Sequence, residues 1–256
     1  MGAPSAGRPL RVAISNPRRT WGGASSMALL LATELPKQGH HAVVLCRPGS
    51  ALAARLGAAG LPHEPVLRGP DFPPPSVVRA MRVLRRHRVD ALVSGTANDV
   101  RLGALAARLC GIPVVVRGLG LHALPGNRLD QLLWRWVTSA IVANSHATAD
   151  VLLAAHGWLS PAMLSVVPNG VDVDRFAGAT PIDEAAIRAT APGMPREPAL
   201  TVGYVGRLDP EKGPDVLVEA WGLARGRLPG ARLVTVHQVH SPTAVAAAEP
   251  WPEDKR

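Results

Sequence analysis

A chain of 256 residues, 47% hydrophobic and 18% charged, has room for one large or two modest globular domains and is too apolar for a disordered polypeptide. Its formal charge of +9 is accompanied by a single tyrosine, Tyr204, with no interleaving of basic and aromatic residues, which argues against nucleic acid as a partner. Residues 1–11 lack a signal-peptide core, and the longest apolar stretch, 27–35, is far below the ~20 residues of a bilayer span. A cytoplasmic, non-spanning protein is expected.

In chain order, residues 11–15 read as a short apolar strand, 16–23 as a polar loop ending in Gly22-Gly23, and 24–35 as a helix. Gly39 separates that helix from a second strand at 42–46. An Ala/Leu-rich helix over 50–59 follows, stopped by Gly60 and Pro62. The proline-rich stretch 65–75 reads as a surface connection, because proline disrupts helix interiors. Beyond it the pattern gives a helix at 76–88, strand 91–94, helix 100–110, strand 113–116, helix 129–137, strand 140–144, helix 147–155 and strand 164–167.

Strands alternating with helices of this length indicate a doubly wound parallel sheet, since each parallel pairing needs a crossover. Residues 1–176 are expected to form one such Rossmann-like domain. The polar, Pro- and Gly-containing residues 177–197 read as a linker, with one helical turn near 184–188. A second set, strand 200–205, helix 215–224, a Pro229-Gly230 turn and strand 232–236, makes residues 198–236 part of a second α/β domain, followed by an atypical tail at 237–256. The positive charge belongs to the first part: residues 1–176 carry 19 basic against 9 acidic residues, and residues 177–256 carry 9 against 10. Cys46 and Cys110 have neither metal-ligand spacing nor a disulfide framework and read as buried thiols.

The richest chemistry lies in Gly206-Arg207-Leu208-Asp209-Pro210-Glu211-Lys212-Gly213, between a β-branched run and an amphipathic one. Pro214 suits the first helical turn, so the free N–H groups and positive end of the following helix face this loop. Arginine engages phosphate oxygens in a fork and lysine supplies a movable charge, a pair suited to a diphosphate leaving group. The plainer alternative is an ordinary turn with Lys212 beside Glu211 and Asp215 in solvent.

Three segments carry a family resemblance: Trp21-Gly22-Gly23, Val166-Val167-Pro168-Asn169-Gly170-Val171-Asp172, and GYVGRLDPEKGPDVLVEA at 203–220. With them, residues 10–236 resemble family 4 of the GT-B-fold glycosyltransferases, retaining enzymes that use nucleotide sugars. The resemblance implies an α/β, GT-B-like fold of one complete Rossmann-like domain and an incomplete second one. It implies that Arg207 and Lys212 bind the donor diphosphate and that Gly22 and Gly23 lie against donor or acceptor. No metal or organic cofactor is implied, the nucleotide sugar being a substrate. Hexosyl transfer with retention, to a lipid-linked, cell-envelope or secondary-metabolite acceptor, is the expected function.

The chain departs from that pattern in three places. His237-Gln238-Val239-His240 stands where a Gly-Asp-Gly-type loop usually follows, and the acidic donor-binding pair has no counterpart before Arg256. Leu119 occupies the register of a frequent histidine, with His122 three residues later as the candidate catalytic residue; a solvent-exposed loop histidine is its plainer reading. These departures support a rival expectation, a truncated, inactive remnant that binds an acceptor, a membrane surface or a partner.

Other patterns carry less. Gly118 to Ala123 matches a dinucleotide fingerprint, but Pro125 interrupts the helix that it needs. Asp172 and Asp174 spell a metal triplet in an interdomain segment, and Ser145 reads as an N-cap. Arg79, Arg82 and Arg86 share a helical face beside apolar Val77, Met81 and Leu84. Peripheral contact with anionic lipid at the inner membrane face is one reading of them, and a solvated outer helix face is the other.

Overall fold

The computed structural model describes residues 8–68, 74–117, 128–177, 200–206, 208 and 212–236. The chain divides into two compact units, Met1–Val171 and Asp172–Arg256. Among the described residues no helix is long and apolar enough to cross a membrane.

Strand β1 (Arg11–Asn16) shows how the first unit is built, since every residue after Arg11 is buried. Its side chains alternate between two cores. Ala13 joins Val43, Leu45, Leu84, Leu92 and Val114 on one side of the sheet, while Val12 and Ile14 join Ala28, Ala32, Val44, Leu52 and Leu56 on the other. The chain continues through α1 (Gly23–Lys37), β2 (His41–Cys46), α2 (Ala51–Ala58), β3 (His63–Glu64), α3 (Pro74–Arg86) and β4 (Ala91–Ser94). Then come α4 (Gly103–Leu109), β5 (Val114–Arg117), α5 (Arg128–Val137), β6 (Ala140–Ala143), α6 (His146–Ala155) and β7 (Leu164–Val166).

The seven strands are parallel, in the order β3-β2-β1-β4-β5-β6-β7. The order reverses between β1 and β4. In a doubly wound sheet the crevice outside the carboxyl ends of two such strands is where ligands bind. The expected α/β class and its strand-helix alternation are therefore present, and two local readings need correction. Strand β3 falls beside a stretch read only as a helix stop and a proline-rich connection, and two residues between prolines carry no period-2 signal. The helix expected at 100–110 starts at Gly103, after a 3₁₀ turn at Ala97–Arg101. Asp99 Oδ1 accepts from the Gly103 N–H at 3.2 Å, and Leu102 (φ −125°) breaks the helical path.

In the second unit α7 (Val173–Ala177) is a helix that the sequence pattern does not announce. Strand β8 (Leu200–Val205) pairs in parallel with β9 (Ala231–Val236), joined by α8 (Pro214–Ala224) with Pro214 in its first turn as expected. Arg232 Nε donates to Thr201 Oγ1 across the two strands at 2.9 Å. Val205 is 83% and Leu223 79% exposed, whereas β1 buries everything after its first residue. The expected helical turn near 184–188 and the tail at 237–256 lie outside the described residues.

Candidate functional site at the carboxyl edge of the first sheet

The switch point between β1 and β4 is lined by small polar residues that are buried without being apolar. Ser15, Asn16, Ser25, Ser94 and Asp99 all have no exposed surface. Buried polar groups are as a rule hydrogen-bonded, and each residue of this set makes such a bond, although Asp99 Oδ2 has no partner among the described residues. Ser15 Oγ donates to Asp99 Oδ1 at 2.7 Å, Gly95 N donates to Ser15 O at 3.1 Å, and Ser94 Oγ donates to Thr96 O at 3.2 Å. Burial pushes the Asp99 carboxyl up to about 6, against the opposing pull of the Ser15 and Ser94 hydroxyls and the Gly103 N–H. A Cβ at Gly103 would lie 2.0 Å from Ser15 Oγ, so glycine is what lets α4 start against β1.

The loop leaving β1 is fixed from both ends. Asn16 Oδ1 accepts from Arg18 N at 3.0 Å, and Asn16 Nδ2 donates to Ser25 Oγ at 3.4 Å. The N–H groups of Ser25 and Ser26 both donate to Gly22 O at 2.9 Å, making Gly22 the N-cap of α1, with no capping side chain. Its φ of 179° is extended backbone open to any residue, so conformation does not demand glycine there. Packing does not demand glycine either, because a Cβ at Gly22 or Gly23, as at Gly39, Gly49 or Gly60, meets no described atom within 4 Å. An uncapped helix N-terminus thus faces open volume at the carboxyl edge, with the chemistry to receive an anion.

Two tethers complete this edge. Arg117, the last residue of β5, donates from Nη2 to Asn169 Oδ1 at 3.2 Å and to Pro168 O at 3.5 Å, holding the Pro168-Asn169-Gly170 motif beside the sheet. Ser145 is the expected N-cap, its hydroxyl accepting from Thr148 N at 3.1 Å. The sequence reading missed Ser15, Asp99 and Arg117. Ser15 and Arg117 close otherwise apolar runs, which was the available signal, whereas Asp99, in a turn five residues after β4, carried none.

Arg79, Arg82 and Arg86 are exposed on α3, while Val77, Ala80, Val83 and Leu84 are buried and Met81 is half-buried. Arg86 is engaged in an ion pair with Glu64, which also meets His87 Nε2 at 2.9 Å. Burial pushes Glu64 up, but the hydrogen bonds from His87 and Arg86 outweigh it and hold the carboxyl below its usual range. Arg86 and His87 line a cavity of about 260 Å³ with Arg11 and His41, which begin β1 and β2 at the edge opposite the switch point. Cys46 is fully buried, but Cys110 is only half-buried, which corrects the reading of two buried thiols.

In the second unit Gly213 adopts a left-handed conformation (φ 61°) as the N-cap of α8, without a capping side chain. Exposed Lys212 precedes it, and the Tyr204 hydroxyl donates to Lys212 O at 3.5 Å. A Cβ at Gly206 would come within 2.9 Å of Tyr204 Oη, so the small residue admits the tyrosine. Arg207, the other expected diphosphate ligand, and His122 lie outside the described residues.

The comparisons with known proteins agree with this architecture. Residues 21–175 match the family model Glycosyltransferase Family 4. The Escherichia coli UDP-Gal:alpha-D-GlcNAc-diphosphoundecaprenol alpha-1,3-galactosyltransferase is 26% identical over 154 residues, covering 57% of this chain and 39% of the relative. The Corynebacterium glutamicum GDP-mannose-dependent monoacylated alpha-(1-6)-phosphatidylinositol monomannoside mannosyltransferase is 28% identical over 229 residues, covering 86% of this chain and 58% of the relative. In fold, the chain superposes on Anabaena HepE, crystallised with UDP-glucose, with a TM-score of 0.69 and 20% identity, over 93% of this chain and 63% of HepE. Its α/β, GT-B-like architecture has one full Rossmann-like domain and part of a second. With more than half of its length matched by the family model, the chain belongs to Glycosyltransferase Family 4.

Proposed function

We propose that the chain contributes to transfer of a hexosyl unit from a nucleotide sugar to an acceptor, with net retention at the anomeric carbon. The observation that carries this reading is the loop ahead of α8. A left-handed Gly213 and an uncapped helix N-terminus stand beside Lys212, and Arg207 lies five residues earlier in the sequence. In the transfer, the bond from the anomeric carbon to the donor diphosphate breaks and its electron pair leaves on the diphosphate. The acceptor oxygen bonds that carbon on the same face, and its proton passes to the departing diphosphate. Arg207, Lys212 and the dipole of α8 stabilise the charge gained there without requiring a metal. The first unit presents the acceptor near Gly22 and Gly23, and His122 is the candidate catalytic group from that unit. The donors in the relatives' names, UDP-Gal and GDP-mannose, support a nucleotide sugar as substrate.

A second reading, a non-catalytic binding module, is favoured by one feature. The described part of the second unit leaves Val205, Val216 and Leu223 mostly exposed, at 83, 64 and 79%. In either reading Arg79 and Arg82 are the residues for peripheral contact with an anionic membrane at its inner face, Arg86 being occupied by Glu64. The test is calorimetric titration with UDP and GDP, alongside transfer from their labelled sugars to lipid extracts. Binding that falls about tenfold or more in Arg207→Ala and in Lys212→Ala, the loss of one charge-assisted contact, with turnover in the parent chain, supports the enzyme. Binding unchanged in both variants refutes the role given to the loop, and absent turnover with intact binding favours the second reading.

A further inference from the structure

The carboxyl edge of β1, β2 and β3 carries four arginines. Arg18 and Arg19 lie in the loop after β1, Arg47 directly follows β2, and Arg68 lies four residues after β3. Register brings these connections together. Asn16 is opposite Cys46, Leu45 is opposite Glu64, and Leu67 N donates to Cys46 O at 3.0 Å, so Arg47 and Arg68 leave the sheet side by side. The first loop closes on the second, since Ala51 N donates to Arg19 O at 3.2 Å. Arg18, Arg19 and Arg68 are exposed and Arg47 is half-buried.

Among the described residues no carboxylate pairs with any of the four. Glu64, four residues before Arg68, is taken by Arg86 and His87, and Asp99 is buried against Ser15 and Gly103. The same edge carries the uncapped N-terminus of α1 and the open space before Gly22 and Gly23. Cationic side chains from three connections, with no described carboxylate paired to them, raise the local positive potential and favour an anion of more than one charge. The fork of a guanidinium matches phosphate oxygens two at a time.

We propose that Arg18, Arg19, Arg47 and Arg68 bind the phosphate or pyrophosphate group of a phosphorylated acceptor. This rests on the glycosyl-transfer reading above, in which the donor diphosphate is held by the other unit, and it specifies the class of acceptor. The anion can reach these arginines as a soluble phosphoester or as a lipid headgroup, and the experiment separates the two.

Inorganic pyrophosphate is the probe, titrated calorimetrically into the full chain and into Arg207→Ala/Lys212→Ala, which removes the donor grip. To that variant are added either Arg18→Ala with Arg19→Ala or Arg47→Ala with Arg68→Ala, each checked for an unchanged melting profile. The exposed Arg18/Arg19 pair keeps the test valid if loss of half-buried Arg47 perturbs folding. Pyrophosphate is expected to bind after loss of the donor grip, and each arginine pair to weaken it by about tenfold or more, as removal of charge-assisted contacts does. Equal affinity with and without the four arginines overturns the proposal, as does loss of all binding with the donor grip alone. Vesicles of phosphatidylcholine with and without phosphatidylglycerol form the other arm. Dependence of vesicle binding on the four arginines, together with pyrophosphate binding, identifies a lipid headgroup as the source; its absence identifies a soluble phosphoester. Failure of UDP and GDP to bind while pyrophosphate still needs the arginines refutes the donor reading and leaves the anion site standing.

Discussion

Replacing Asp99 by asparagine keeps the size and an acceptor oxygen for Ser15 Oγ–H and Gly103 N–H but removes the charge. The wild-type carboxyl has no exposed surface and titrates near 6, against an ordinary value of 3.8. The folded state therefore holds the proton more tightly than the unfolded one, and stability is lost as pH rises from about 4 through about 6. At about 1.4 kcal/mol for each tenfold difference in proton affinity, the full effect is about 3 kcal/mol, of which about 2 kcal/mol develops between about pH 4.5 and 8. Glu64 and Asp90, held below their usual range, act in the opposite sense, their stabilisation being lost as pH falls. They are present in both proteins and cancel in the comparison. Urea unfolding of wild type and Asp99→Asn across that range is the assay, followed by a signal from the tryptophans of the first unit. The variant should gain on the wild type by about 2 kcal/mol as pH rises. A constant difference across the range would refute the reasoning, because it would mean that the buried group does not change its charge there.

The junction of β1 and α4 should tolerate no added atom. Gly103→Ala puts a methyl 2.0 Å from Ser15 Oγ, so despite the better helix propensity of alanine it should lower stability by about 1–3 kcal/mol, read as a lower melting temperature; an unchanged or higher one would contradict the packing. The two thiols should differ in reactivity. Cys46 is fully buried, and burial with the nearby Glu64 charge pushes it up to about 11, whereas Cys110 is half-buried with Sγ 3.9 Å from Met81 O. Iodoacetamide at neutral pH should label native Cys110 about a hundredfold faster than Cys46, and denaturation should equalise them; equal labelling of the native chain would contradict the buried position of Cys46.

Much of the fold was legible because it rests on local chemistry. Apolar runs of four to six residues, broken by glycine and proline and separated by helical periodicity, marked six of the seven strands of the first sheet and both strands of the second. The Ser145 cap and Pro214 in the first turn of α8 followed from the same local rules. Gly22, Gly23 and Lys212 were recognisable in short motifs, whereas the places of Arg207 and His122 rest on sequence alone. Strand β3 was not legible, since two residues between prolines become a strand only through their pairing with β2. The polar core of the switch point was not legible either: Ser15 and Asp99 are 84 positions apart and Arg117 and Asn169 are 52 apart, and nothing periodic links them. By itself the sequence determined the alternating elements, the parallel α/β class and the family, since these depend on residue type and spacing along the chain. Tertiary structure alone decided which strand ends meet, and therefore which polar and cationic residues share the carboxyl edge. Strand order arises from long-range pairing, whose closing entropy and side-chain fit leave no mark in any local window.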